Sequence, residues 1–93
     1  MEATVYRTPE KVDISTNPGI SSDIDAILAK GQYALIIDMT ETVYISSVGL
    51  RTLISADKEC RKNDGKMVIR NVGEMVRKVF EVTGLQNVLN IEG

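Results

Sequence analysis

The sequence predicts an α/β domain: a mostly parallel, four-stranded sheet packed with about three helices in the order βαβαβαβ. Three observations carry this. Short apolar runs of strand length alternate with stretches whose apolar residues recur at helical spacing. The run "YALIIDM" (33–39) is continuously apolar at its centre, a pattern suited to a strand covered on both faces of a parallel sheet. No Pro/Gly/Ser-rich linker and no internal repeat breaks the alternation, so the 93 residues read as a single domain spanning 1–93. Right-handed crossovers are expected between such strands.

The elements follow in order. "ATVYRT" (3–8) favours a strand through its valine and tyrosine, and Pro9 ends it. "STNPGISSDIDAILAKG" (15–31) opens a helix with Thr16 or Asn17 as N-cap and Pro18 in the first turn. Ile20, Ile24, Ile27 and Leu28 share one face of it, and Gly31 supplies the stop. After the strand at 33–39 comes a loop at 40–42, from which Val43-Tyr44-Ile45 leads to two serines.

A second helix is predicted from Val48 to about Asn63. Leu50, Leu53, Ile54, Ala56 and Cys60 project to one side, and Gly65 in "NDGK" closes it. Arg51, Ser55, Lys58 and Lys62 fall on the opposite side at spacings of three and four. Asp57 interrupts the apolar arc and is read as marking its edge near a loop. "KMVIRN" (66–71) is another strand. A third helix runs from roughly Glu74 to Thr83 with Met75, Val76, Val79 and Phe80 on its apolar face; Gly84 stops it and Leu85 supplies the accompanying contact. "NVLNI" (87–91) is the last strand. Met39, Met67, Met75 and Cys60 are read as core fillers.

Composition then narrows the function. The chain has no histidine, which removes the commonest general base and the commonest metal ligand together. Its one cysteine makes neither an internal disulfide nor a metal cluster and suits a reducing cytoplasm. "MEATVYRTPEK" has no apolar signal core and no run reaches membrane-spanning length, so neither export nor membrane insertion is expected. A net charge of −2 argues against nucleic-acid binding. That charge is uneven: residues 1–50 carry three basic and seven acidic side chains, residues 51–93 eight basic and six acidic. The break falls just after the serines.

"YISSVGLR" (44–51) places Ser46 and Ser47 between a strand end and a helix start. In parallel α/β sheets functional groups gather at that rim, and Asp38 ends the neighbouring strand in the equivalent place. On general grounds Ser47 is the N-cap of the second helix. Gly49 lets backbone approach closely. A serine nucleophile needs a base; Lys58 lies three turns away, and neither a G-x-S-x-G elbow nor a phosphate-binding G-x-x-x-x-G-K-S/T loop is present. Asp38 and Glu41 make only a weak carboxylate pair, so a small hydrolase or phosphotransferase is disfavoured and no enzyme is expected. A phosphoacceptor requires far less: an exposed hydroxyl whose modification changes binding. Phosphate brings about −1.5 to −2 charges and three acceptor oxygens.

At these residues the sequence resembles the STAS-domain anti-sigma factor antagonists. "LIIDM" is similar to the family's strand ending in Asp, and "YISSVGL" to its Asp-Ser-Ser/Ala-Gly-Leu loop. "KVDISTNP" resembles the approach to the family's first helix, and "GKMVIRNVGEMVRKVFEVTGLQNVLNI" its third strand, third helix and Gly-Leu stop. The resemblance implies a STAS-like fold with the family's first edge strand and last helix short or missing. It implies phosphorylation at Ser47, with Ser46, which stands where the family has aspartate, as the alternative, and Val48 in place of a small residue. The implied partner is an anti-sigma factor with serine kinase activity, which itself binds the ATP; the antagonist needs no cofactor and no metal. The expected docking surface is Asp38, Ser46, Ser47, Val48, Gly49, Arg51, Ser55, Lys58 and Lys62, on a monomer or weak dimer. The alternative is a non-switching STAS scaffold subunit of a stress-signalling or lipid-transport assembly.

Overall fold

A computed structural model describes residues 2–92. Strand β1 spans Thr4–Arg7, β2 Lys11–Val12, β3 Ala34–Asp38, β4 Tyr44–Ile45, β5 Lys66–Arg70 and β6 Asn90–Ile91. Helix α1 spans Asn17–Ala29, α2 Ser47–Lys62 and α3 Glu74–Thr83, and a single 3-10 turn covers Leu85–Asn87. Strands β1, β3, β5 and β6 form one sheet in that order, every pair parallel. The α/β class, the four-stranded parallel sheet and the three helices are as the sequence predicts.

A second ladder escaped the sequence reading. Strands β2 and β4 pair in parallel, Lys11 opposite Tyr44 and Val12 opposite Ile45. Two residues per strand are too few for alternation to show in a sequence. The predicted last strand is likewise shorter than expected: Asn87 ends the 3-10 turn, Val88 and Leu89 form the turn and bend after it, and only Asn90–Ile91 pairs with β5.

Each crossover joins neighbouring parallel strands, and right-handed connections put all three helices over one face. Beneath them Leu35, Ile37, Met67 and Ile69 are at most 1% exposed. Their alternates Ile36 and Val68 are half-buried and Val5 is exposed. Strand β3 is therefore covered fully on one face only, although its sequence is apolar on both.

The helices seal that face with Ile20, Ile24 and Leu28 from α1, Leu50, Leu53, Ala56 and Cys60 from α2, and Val76 and Phe80 from α3. Burying one such large side chain stabilises by about 1.5–3 kcal/mol. Met75 is 71% exposed, contrary to its expected place in the core. The arc of α3 centres on Val76 and Phe80, which leaves Val79 at its edge and Met75 about 100° from Val76.

Asp57 also departs from expectation. It lies within the buried arc of α2, 1% exposed, with Oδ2 accepting from the Arg61 guanidinium one turn on. Its Oδ1 has no partner among the described residues. Beyond α2 the left-handed residue is Asp64, at φ 60°, rather than Gly65. Gly65 is needed for another reason: a β carbon there would lie 2.1 Å from the Tyr33 carbonyl oxygen. Gly31 and Gly84 are left-handed, at φ 79° and 75°, where the helix stops were expected.

Candidate functional site

The serine corner hangs on the small β2–β4 ladder. The Ser46 N–H donates to the Val12 carbonyl at 2.8 Å, extending that ladder by one bond. Ser46 is extended, at φ −92° and ψ 171°, and its Oγ accepts from the Gly49 N–H at 3.4 Å. Its carbonyl accepts from Leu50 at 3.0 Å, the first turn of α2. Ser46 is thus the N-cap, where the general reading had placed Ser47. Ser47 is instead the first helical residue; it is exposed, and its hydroxyl makes no hydrogen bond among the described residues.

Gly49 is buried beneath this corner, and a β carbon on it would stand 2.5 Å from Val12 Cγ1. It shapes the turn rather than presenting surface. Val48 is half-buried. Arg51, Ser55, Lys58 and Lys62 are all exposed, as the helical spacing implies. Arg51 and Ser55 also line a groove of ≈ 660 Å³ between α1 and α2, shared with Val48, Ser21, Asp25 and Leu28. The two helices are tied together where the Thr52 hydroxyl donates to Asn17 Oδ1 at 3.0 Å.

Asp38 is engaged elsewhere. Its Oδ1 accepts from the Thr40 N–H at 3.0 Å, from the Thr40 hydroxyl and from Asn71 Nδ2 at 3.1 Å, and Oδ2 accepts from Arg7 Nη2 at 3.1 Å. The Thr40 hydroxyl, with Asn71, the Thr40 amide and Arg7, holds this carboxyl well below the usual carboxylate range. None of its partners belongs to residues 46–49. Asp38 therefore orders the strand-end cluster of Arg7, Thr40 and Asn71, and it is itself buried. Arg7 and Asn71 were missed by sequence reasoning because only the register of β1, β3 and β5 brings them there. The Asp-x-Thr spacing at 38–40 was the readable signal.

The turn before α1 is similarly braced. Asp13 Oδ1 accepts from the Ser15 hydroxyl at 2.8 Å, the Ser15 amide at 3.0 Å and the Thr16 amide at 3.1 Å, while the Thr16 hydroxyl donates to the Lys11 carbonyl at 2.8 Å. These bonds, the Ser15 hydroxyl foremost, lower the Asp13 pKa. Thr16 occupies the expected cap position of α1, but its side chain makes no cap bond to the helix and serves this turn instead. Ile14, 78% exposed, stands at the tip of the turn two residues beyond Val12.

Among the described residues no group of three or more His, Cys, Asp or Glu side chains is placed to hold a metal ion. No helix among them is long and apolar enough to cross a membrane.

The four-stranded parallel sheet with its three helices is the fold of a known domain class. The STAS domain profile matches residues 2–93, and the chain belongs to that family. Its curated relatives in that family include anti-sigma factor antagonists, and a sulfate transporter family protein from Wolinella succinogenes shares the fold at a TM-score of 0.74 and 15% identity, over 95% of this chain and 71% of that one. The chain is 29% identical over 86 residues to the anti-sigma-B factor antagonist of Listeria monocytogenes, covering 89% of this chain and 75% of that protein. The crystal structure of an anti-sigma factor antagonist from Mycobacterium paratuberculosis is similar at a TM-score of 0.86 and 26% identity, over 96% of this chain and 75% of that one. The antagonist SpoIIAA in its unphosphorylated form shares the fold at a TM-score of 0.77 and 19% identity, over 99% of this chain and 80% of that one.

Proposed function

We propose that this protein is an anti-sigma factor antagonist switched by phosphorylation of Ser47. Unmodified, it binds an anti-sigma factor that is also an ATP-dependent serine kinase, and so frees a sigma factor for transcription in the cytoplasm. The observation that carries this reading is the division of labour at the corner. Ser46 does the capping, and Ser47 is left with an exposed hydroxyl that no hydrogen bond holds among the described residues.

The chemistry is the kinase's. The Ser47 Oγ–P bond forms as the γ-phosphoryl bond of ATP breaks, nucleoside diphosphate leaves, and the hydroxyl proton passes to a base on the kinase. This chain contributes the acceptor and the surface around it: Ser46, Ser47 and Val48 at the corner, then Arg51, Ser55, Lys58 and Lys62 along α2. Gly49 and Asp38, both buried, act by shaping the backbone. Modification replaces a neutral hydroxyl by about −1.5 to −2 charges without requiring any core residue to move. The protein acts by binding rather than by catalysis, as a monomer or weak dimer.

Mass spectrometry after incubation with the cognate kinase and ATP tests the reading. Phosphate on Ser47 is expected; phosphate on neither Ser46 nor Ser47 would overturn it in favour of a non-switching scaffold. Ser47→Asp is expected to weaken the complex far more than Ser47→Ala, and equal binding by both would remove the charge mechanism.

A further inference from the structure

We propose that Arg51 is the intramolecular ligand of the phosphate on Ser47, so that modification turns Arg51 from a docking group into the phosphate's counter-ion. This rests on Ser47 being the modified residue. Three observations carry it.

Ser47 and Arg51 stand at i and i+4 on α2, where side chains are neighbours with Cβ atoms about 5–6 Å apart. Helical side chains lean towards the N-terminus, so the long Arg51 side chain, which lines the groove between α1 and α2, is able to reach back to a phosphate on the turn that Ser47 begins. Second, Arg51 is uncommitted. It is exposed and takes part in none of the four side-chain ion pairs among the described residues, which involve Arg7, Arg61 and Arg70. Although Asp25 and Glu59 line the same groove, neither is paired with Arg51. Third, distance separates Arg51 from the rest of the basic stripe. Lys58 is about 16 Å and Lys62 about 22 Å along the axis from Ser47. Both lie beyond the screening length of about 8 Å, whereas Arg51 at about 6 Å lies within it.

A guanidinium presents two parallel N–H donors to a phosphate, which a lysine cannot. The phosphorylated protein would therefore hide its own new charge in part, and withdraw Arg51 from the groove between α1 and α2. The partner meets two changes from one modification: an added anion at the corner and a lost cation beside it.

The test uses protein with phosphoserine installed at position 47 during synthesis, so that no kinase is needed. The second ionisation of the phosphate, ordinarily near ~6, is followed by phosphorus NMR in the wild type, Arg51→Gln, Arg51→Lys and Lys58→Gln. Arg51→Gln is expected to weaken that ionisation constant about twofold, the scale of an exposed i,i+4 ion pair. Arg51→Lys should recover only part of the difference, and Lys58→Gln should match the wild type. Identical titrations for the wild type and Arg51→Gln, or an equal displacement by Lys58→Gln, would overturn the proposal. A kinase that never modifies Ser47 would remove the functional reading while leaving this titration standing, so the two failures are distinguishable.

Discussion

Val12 and Gly49 meet so closely that no side chain fits between them: a β carbon on Gly49 would lie 2.5 Å from Val12 Cγ1 and 3.3 Å from the Val12 carbonyl oxygen. The serine corner is thus seated by a contact between a two-residue strand and the first turn of a helix. Gly49→Ala should destabilise by about 1–3 kcal/mol through overpacking, even though alanine is the better helix former. Val12→Ala makes room, so the double variant should lose less than the sum of the two single losses. Urea-denaturation midpoints of the four proteins measure this. Strict additivity would show that the contact does not set the corner.

The two serines should differ in what they contribute to stability. Ser46→Ala removes the cap of α2 and should cost about 0.5–1 kcal/mol. Ser47→Ala removes an exposed hydroxyl that has no partner among the described residues and should change stability by no more than about 0.5 kcal/mol. Thermal melts of both variants at neutral pH decide it, and a larger loss for Ser47 would place the cap there after all.

Acid should act through Asp38. Its carboxyl is held low in the folded protein, first by the Thr40 hydroxyl and then by Asn71. An unfolded aspartate titrates near ~3.9. The folded state thus binds the proton more weakly, and the stabilisation is fully present above ~3.9 and fades as pH falls towards the folded value. The stability advantage of the wild type over Asp38→Asn should therefore shrink as pH drops from about 5 to about 2. Urea midpoints taken across that interval check the sign; an advantage that grows in acid would contradict the hydrogen-bond network.

The sequence made the main sheet and the helices legible because their signals are local and long enough to repeat. Ile20, Ile24 and Leu28 mark a buried helix face within one stretch of chain, and Gly31 and Gly84 mark its kind of stop. The β2–β4 ladder was not legible: "KV" and "YI" become strands only because they find each other across 33 residues, as the Lys11–Tyr44 register records. At the candidate site, the serine pair and the exposed stripe of α2 could be read from spacing. The assignment of the cap could not, since adjacent serines are equivalent until the Ser46 N–H is fixed to Val12. Asp57 and Met75 misled for complementary reasons. A buried carboxylate met by Arg61 violates the apolar pattern, and an exposed methionine imitates it.

The one-sided placement of the helices has a practical consequence. The molecule has a face that can be handled without touching the corner where Ser47 stands. Val5 is 59% exposed on the open side of the sheet, and the lone thiol, Cys60, is sealed at 0% beneath α2. Val5→Cys would thus give a single addressable point for a fluorophore or a surface tether, away from the buried Cys60 thiol.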